Sequence, residues 1–580
     1  MFIKKIPKPN GRIYLTVVHG YSKDGKTRHK TIQKLGYLDE LQKQYEDPIA
    51  HFNDVVTAMN EERQANRHVT VDIDMDEQLE RGASNRKNYG HVVLSKIYHE
   101  LKIDIFLKNA RRHKNFKFNT DSIMRLLVFS RLLEPCSKLG TVLRKDKYFD
   151  NFKFSIDDVY HALTHFDAIS VDLQKHLHNQ VTDTIGRDTS LVYYDVTNYY
   201  FEIDKEDDLR KTGPSKEKKK DPIVQMGLLL DRNGLPVTYK MFPGNTHDSQ
   251  TLTPTLRDVK KDFGVGRIIV VADKGLNSGD NIAFNMVLGD GYIYSKSVSG
   301  ASADFKKWVL EESEYRKYSD EYKLKSQVIP DATNMVTLAI SPKTGKKFKK
   351  PHKVNIPIEQ KQIVFYSKKY ADRAKYKREE AIAKAQKFIA DPSKYHSRIE
   401  YGAAGYVKNV QFDDDTGEVV TPKENLSINW EKVKDEEKYD GFYAILTSEL
   451  DEKDESIIEA YRGLWRIEES FKVTKSVLDA RPAYVRTEPH INAHFLVCFI
   501  ALLIGRIAEK TLGGKYTIEN IVETLLKVEC SYLQQNIWLF DYADEVTDDM
   551  NAAFGTNFGL KQMTTLDIKK FLGSVKRHDG

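Results

Sequence analysis

Ser190-Leu-Val-Tyr-Tyr-Asp-Val-Thr197 opens the part of the chain that decides the fold. The run is short, apolar, and rich in β-branched and aromatic residues, the composition of a buried strand. After a polar, lysine-rich loop with Gly213-Pro214 and Lys216 to Lys220 come Ile223-Val-Gln-Met-Gly-Leu-Leu-Leu230, Asp231-Arg-Asn-Gly234 and Leu235-Pro-Val-Thr-Tyr-Lys-Met-Phe242. These read as strand, turn and strand, a hairpin. A helix is expected from about Ser249 to Asp262, and Arg267-Ile-Ile-Val-Val-Ala-Asp273 is again a buried strand, this time ending on an acid. The order β-β-β-α-β specifies a mixed sheet with helices on its faces.

Two of these strands carry a carboxylate that packing does not explain. Asp is disfavoured in strands, and an unpaired charge is costly to bury. Asp195 follows four strand residues, and Asp273 sits at a strand's carboxyl end, where chemistry collects in open α/β sheets. Alone, Asp195 also reads as a strand-end acid that caps a turn or pairs with a lysine, and Asp273 as a turn former. A third acid, Glu468, lies in a helix expected over Ser456 to Ser476. At about 100° per residue, Tyr461, Glu468 and Lys475 fall on one line with Ile457, Leu464 and Phe471, so Glu468 interrupts an apolar face. If the β-β-β-α-β order folds as a ribonuclease-H-like sheet, its first and fourth strands are neighbours. Asp195 and Asp273 then stand side by side, with a later helix free to bring Glu468 across the same edge. Three clustered carboxylates need a divalent cation, and oxygen ligands select Mg²⁺, with Mn²⁺ as substitute. Two such ions can promote an in-line phosphoryl displacement.

Outward from this centre the chain divides into an N-terminal strand-rich basic region (1–75), a helical region (76–186), a first core part with Asp195 and Asp273 (187–300), an insertion of mixed character (301–440), a second core part with Glu468 (441–510) and a helical C-terminal region (511–580). In the second of these, Asn119-Thr-Asp caps a helix with Ile123, Leu126, Leu127 and Leu133 on one face. Charge is uneven. The net is +6 over 580 residues, but residues 341–380 hold 13 Lys/Arg against 4 Asp/Glu, a net of +9, leaving −3 for the rest. Residues 1–33 add a second block, eight basic residues against one acid. Concentrated cation suits a phosphate backbone or a plain solvated surface; on the first reading Lys346, Lys347, Lys349 and Lys350 are expected to touch DNA.

Composition excludes other classes. With 40% hydrophobic and 30% charged residues the chain is not largely disordered. The longest apolar run, Phe495 to Ile504, is shorter than the roughly 18 residues of a membrane span and reads as a buried helix. No signal-peptide core follows Met1. Three cysteines rule out a disulfide framework, which points to a reducing, cytoplasmic compartment. The pairs His161/His165 and His490/His494 read as core or surface histidines. Neither a P-loop nor a dinucleotide fingerprint is present.

Tyr193-Tyr-Asp195-Val-Thr-Asn, Ala272-Asp273-Lys-Gly and Tyr461-Arg-Gly-Leu-Trp-Arg-Ile-Glu468-Glu-Ser-Phe-Lys together resemble the three acidic motifs of bacterial insertion-sequence transposases of the DDE type, in the branch with a Tyr-Arg-Glu-Lys signature and a large insertion before the glutamate. Phe242-Pro-Gly-Asn-Thr-His-Asp248-Ser is similar to the family's segment between the first two acids. The resemblance implies a ribonuclease-H-like catalytic core (187–300 and 441–510) interrupted by an insertion, a DNA-binding role for the helical region 76–186, Asp195, Asp273 and Glu468 as metal-binding catalytic residues, and Tyr461 and Lys475 as contacts to the transposon end. Arg462 and Trp465 of the same motif join this expected DNA-binding set. It further implies double-stranded terminal repeats and target DNA as partners, a homodimer in the synaptic complex, and a bacterial, nucleoid-associated location. The signature's arginine is expected three residues after Tyr461, where Leu464 stands. Lys472, about 40° around the helix from Glu468, is expected to take over its phosphate contact together with Lys475, the alternative being that it only pairs with Glu468 at i,i+4. The alternatives are a nuclease that cuts without joining, and a domesticated, non-catalytic DNA-binding protein.

Overall fold

The computed structural model describes the chain except for residues 24–25, 66–75, 77, 79–83, 204, 214–220, 341–346, 392–403, 412–418, 420, 422–424, 482, 534–535 and 578–580. The centre of the first hairpin turn, the lysine-rich loop after Gly213, and Lys346 therefore lie outside the described residues. The chain forms two compact units, Met1–Ala83 and Ser84–Gly580.

In the first unit, β1 (Phe2–Pro7), β2 (Ile13–Lys23) and β3 (Lys26–Tyr37) form an antiparallel sheet in that order. Leu15, Val17 and Val18 are buried. A short α1 (Leu38–Leu41) and α2 (Pro48–Ala65) follow, and the Met1 amino group donates to Asn60 Oδ1 at 2.7 Å.

The second unit opens with β4 (Arg86–Asn88) and a helical layer, α3 (His91–Glu100), α4 (Ile103–Ala110), α5 (Thr120–Leu133), α6 (Lys138–Leu143), α7 (Ile156–Ala168) and α8 (Ser170–Thr184). Asn119 caps α5 as expected, accepting from the backbone N–H groups of Asp121 and Ser122. Then come β5 (Leu191–Tyr200), β6 (Ile223–Asp231), β7 (Pro236–Pro243), α9 (Leu252–Asp262), β8 (Ile269–Ala272), α10 (Gly279–Val287) and β9 (Gly291–Lys296). The β6–β7 turn is closed by the Asp231 carboxylate, which accepts from the N–H groups of Asn233 and Leu235 and pairs with Arg187. β5, β6 and β7 are antiparallel neighbours, and β8 and β9 run parallel to β5 on its other side. That is the ribonuclease-H-like arrangement, and it places the strands of Asp195 and Asp273 next to each other.

The segment expected as an insertion contributes α11 (Ala303–Leu310), β10 (Arg316–Ser319), β11 (Tyr322–Ile340), β12 (Lys347–Ser367), α12 (Lys368–Ala390), the small pair β13 (Val407–Lys408) and β14 (Ser427–Ile428), and α13 (Trp430–Glu437). Its long strands continue the central sheet. With β15 (Phe442–Thr447), the order among the described residues is β10-β11-β12-β15-β9-β8-β5-β6-β7. β12 pairs with β15 only over Lys361–Tyr366, whereas it pairs with β11 as far as Lys347. The outer halves of β11 and β12 thus form a two-stranded arm. Its inner face, Ala332, Asn334 and Val336, is buried, and the Thr337 N–H donates to Asp280 at the start of α10.

The expected helix over Ser456 to Ser476 is two helices, α14 (Asp454–Arg462) and α15 (Trp465–Lys475). At the junction, the N–H groups of Leu464, Arg466 and Ile467 bond to carbonyls three residues back, of Tyr461, Gly463 and Leu464. Such 3₁₀-type turns wind faster than an α-helix, so α15 is rotated by some tens of degrees from the line drawn through α14. Gly463 sits there because a Cβ would lie 1.9 Å from the Tyr193 hydroxyl.

The chain ends with α16 (Glu488–Thr511), α17 (Ile518–Lys527), β16 (Glu529–Tyr532), β17 (Ile537–Phe540), α18 (Glu545–Phe554), β18 (Gln562–Thr564) and α19 (Thr565–Ser574). The C-terminal region expected to be helical therefore also contains three strands, which join β4 in a sheet ordered β18-β17-β16-β4. Strands of three or four residues give too short an alternation to read from sequence. α16 is long and apolar enough to cross a membrane, with mean hydropathy 2.0 over an 18-residue window, more than its central run alone implied. It is 94% buried inside the protein over that window. It packs against α3, α5, α7, α15, α17 and β7. Tyr193, Val271, Ile293, Ile363 and Ile445 bring one face of the sheet into this helical core, while Tyr194, Val270, Tyr292 and Leu446 on the other face join Leu256 and Val259 of α9 in a second core cluster.

Candidate active site

Alternation along β5 turns Tyr193 and Asp195 to the same face of the sheet. The last parallel pair between β5 and β8 is Tyr193 with Val271. Two residues further on each chain stand Asp195, half-buried within β5, and Asp273, exposed immediately after β8. Adjacent strands lie about 4.8 Å apart, so the two acids are neighbours at one sheet edge. Ser295 of β9, next along that edge, donates its hydroxyl to Asp273 Oδ1 at 2.8 Å.

Glu468 lies in the first turn of α15 and is exposed, whereas Ile467, Ser470, Phe471 and Thr474 are buried. The expected apolar stripe is there, but the rotation at Gly463–Leu464 takes the carboxylate off it and out towards the sheet edge. Leu464, where the signature has arginine, is 7% exposed and part of the core. Two hydrogen bonds hold the helix: Tyr199 of β5 with Thr474 at 2.8 Å, and Arg506 of α16 to Ser470 at 3.0 Å.

Tyr461 and Tyr443 stand between the second and third acids. Burial lifts the Tyr461 hydroxyl above the usual phenol range, and the carboxylates of Asp273 and Glu468 push the same way against its hydrogen bond with Ser295. Tyr443 is raised by burial too, and again by Asp273 and Glu468. One tyrosine pair thus senses two acids that lie almost two hundred positions apart in the sequence. Sequence reasoning missed Ser295 and Tyr443, whose only signal was their position on strands at this edge. It quoted Asp248 without assigning it. The Asp248 carboxylate approaches Gly275 just past Asp273, and with Asp195 it raises the Tyr194 hydroxyl, which burial raises first.

Among the described residues neither Asp273 nor Glu468 forms an ion pair with Lys or Arg, and no three His, Cys, Asp or Glu side chains are grouped closely enough to hold one metal ion. The donor chemistry fits a hard divalent cation, being carboxylate oxygens at an open edge. The side chains are not drawn together around such an ion.

The other expected site residues scatter around this edge. Lys472 is exposed, and Lys475 is half-buried with its ammonium 5.7 Å from the centre of the Tyr199 ring. Among the described residues no ion pair joins Lys472 to Glu468. Trp465 is 55% exposed, and Arg462 is exposed over the Phe365 ring. Lys347, Lys349 and Lys350 are exposed on the arm. Of the histidine pairs, His490 contacts Thr164, and buried His494 contacts Lys138 and the Ala480 carbonyl. A cleft of roughly 480 Å³ beside Asp273 is lined by Lys274, Lys296, Lys377, Arg378, Tyr406 and Tyr443, so the 301–440 segment walls one side of the site.

Residues 3–70 match the model of the IS1634 family transposase, N-terminal domain, and residues 313–504 match that of the transposase DDE domain. The second match contains Tyr461, Glu468 and Lys475 and begins after Asp195 and Asp273. No curated protein matches the chain. Among solved structures, a piggyBac transposase synaptic complex with hairpin DNA aligns with 90% of this chain and 81% of its own, at 7% identity and a TM-score of 0.34. A Mos1 transposase paired-end complex with left transposon end aligns with 40% of this chain and 63% of its own, at 11% identity and a TM-score of 0.14.

Proposed function

We infer that the chain is a DNA transposase of the insertion-sequence DDE type, an enzyme that cuts DNA at transposon ends and joins the cut strand to a target, and that Asp195, Asp273 and Glu468 are its catalytic carboxylates. The N-terminal and DDE domain matches carry the first part. The second part is supported by the neighbouring register of Asp195 and Asp273 on parallel strands, with Glu468 acting on the same tyrosines as Asp273. A DDE domain takes a divalent metal ion; Mg²⁺, replaceable by Mn²⁺, in a two-ion arrangement is the proposed form. When bound, such ions supply charge that ionises an attacking hydroxyl and stabilises a leaving oxygen.

The protein's own groups prepare the edge for this chemistry. Ser295 fixes the Asp273 carboxylate by donating to one of its oxygens, leaving the other for a cation. Tyr461, kept protonated at neutral pH, holds Ser295 in turn. Burial of Ile467 and Phe471 holds α15 so that Glu468 faces outward. Exposed Trp465, Arg462 and Lys472, with Lys475, are proposed to contact the transposon end, and Lys347, Lys349 and Lys350 of the arm, together with Lys346 next to them in sequence, to contact phosphates. Synapsis of two ends by a homodimer, on the bacterial nucleoid, completes the proposal.

Asp195→Asn, Asp273→Asn and Glu468→Gln are each expected to abolish cleavage of a duplex carrying the element's end in Mg²⁺, while gel-shift affinity for that end stays within a few-fold of the parent. Near-parental cleavage by any one variant removes that residue from the catalytic set. A strand-transfer assay on precut ends separates a transposase from a nuclease.

A further inference from the structure

The sheet edge that carries the acids does not stop at them. It continues through β15, β12, β11 and β10, the strands of the 301–440 segment and its return. On the face that bears Asp195, Asp273 and Ser295, these strands present Tyr443 on β15, Phe365 on β12, Tyr322 on β11 and Tyr318 on β10, with Tyr370 at the start of α12 beside them. The registers place Tyr443 opposite Phe365, and Leu324 opposite Phe365 on the far side. Tyr443 is stacked on Phe365, with centroids 5.7 Å apart and planes 18° apart, and lies 5.0 Å from Tyr370. Phe365 is 6.2 Å from Tyr322, which is 5.8 Å from Tyr318. Phe365 is buried beneath the others, but Tyr443 is 42% exposed and Tyr318 55% exposed, and Tyr322 and Tyr370 are half-exposed.

Packing the added strands onto the core requires Phe365. It does not require tyrosines left open above it, since burying their rings would be favourable. The row also carries cation. The Arg462 guanidinium stands 6.0 Å from the Phe365 ring centre and hydrogen-bonds Tyr322, and Arg373 is close enough to Tyr443 to favour its ionised form. Open aromatic faces flanked by guanidinium groups bind unpaired nucleotides, because every base has a π-face and every linkage a phosphate. A duplex hides its base faces in its own stack and offers such a row nothing.

We propose that Tyr443, Tyr370 and Tyr322, over Phe365 and beside Arg462, form a stacking platform for unpaired nucleotides next to the scissile phosphate. This deepens the transposase reading and rests on it. Tyr443 joins the two functions, because it is at once the first ring of the row and a neighbour of Asp273 and Glu468. The strand cut at the acids is thereby led along the sheet edge, away from the duplex. The unpaired nucleotides come either from the transposon strand or from the flanking strand that is cut away.

The test measures binding of the full-length protein, by fluorescence anisotropy, to a duplex of the element's terminal sequence, blunt or with a short thymidine tail at either strand's end. One tail polarity is expected to bind about tenfold tighter than the blunt duplex, within the range base stacking supplies, and that polarity identifies the strand. Tyr443→Ala and Tyr322→Ala should collapse the tail-to-blunt ratio towards one, Tyr443→Phe should keep it, and an abasic tail on the parent protein should behave as the alanine variants do. An unchanged ratio in both alanine variants, or an abasic tail bound as well as thymidine, overturns the platform while blunt-end binding leaves the transposase reading standing. Failure to bind any of these duplexes overturns both.

Discussion

Lys138 is buried against His494 in the helical core, its ammonium 3.0 Å from the imidazole Nδ1, while His494 Nε2 meets the Ala480 carbonyl. The histidine is therefore neutral, with its proton on Nε2, and the facing Arg131 guanidinium is spent on the Leu478, Asp479 and Cys136 carbonyls. Burial, aided by Arg131, lowers the Lys138 pKa from its ordinary value to about 7. Below that pH both folded and unfolded chains carry the proton, and holding the charge inside costs stability. Above it the folded chain sheds the proton that an unfolded lysine keeps until about 10.4. The unfolded state then binds more protons, so stability rises with pH. Wild-type protein is expected to gain thermal stability from pH 7 to 10 relative to Lys138→Met, read as the difference in melting temperature at each pH. Parallel pH profiles for the two proteins would show that Lys138 does not titrate there.

At the scale of elements, the arm made by the outer halves of β11 and β12 separates two roles. Its inner face rests on α10, fixed by Gly279, whose missing Cβ lets the Met335 backbone pass. Its outer part exposes Lys347, Lys349, Lys350 and Lys353. Lysines that neutralise phosphates make affinity fall with salt, by about 0.9 in the slope of log K against log salt per contact. Replacing Lys347, Lys349 and Lys350 with Ala is expected to flatten that slope for end binding, measured by titration at several salt concentrations. An unchanged slope assigns these lysines to solvent. The lysine cluster was legible in the sequence, as were β5 to β9 with their two acids, because strand composition and turn residues are local signals. The arm's shared sheet was not, since the pairing of β12 with β15 joins residues some eighty apart. Nor was the break before Glu468, which follows from the Tyr193 side chain pressing on Gly463 from a distant strand. The periodic reading of that helix put Glu468 on a buried face, whereas the break leaves it exposed.

For the molecule as a whole, the division after Ala83 predicts independent stability. The main apolar core starts at Tyr89 and draws all its buried members from there onward. A fragment from Ser84 to Gly580 is expected to unfold cooperatively at a temperature within a few degrees of the full chain's main calorimetric transition. A broad or missing transition would mean that the first unit completes the core. Within the second unit, what the sequence divides into catalytic parts and insertion shares one sheet, the main core draws on both and on the helical region, and α16 runs through that core against α3, α5, α7, α15, α17 and β7. That helix has a consequence in time. The helices from His91 to Thr184 leave the ribosome long before residue 488 is made, and at about 10 residues per second they wait tens of seconds for the apolar pillar they close upon. Until it arrives, their inner faces are work for chaperones. A product cut short by a stop codon or frameshift ahead of Glu488 never receives its pillar, and α15, which leans on it through Arg506, is left with its contacts to β5 to hold Glu468. Only a chain translated through this late helix can assemble the scissors.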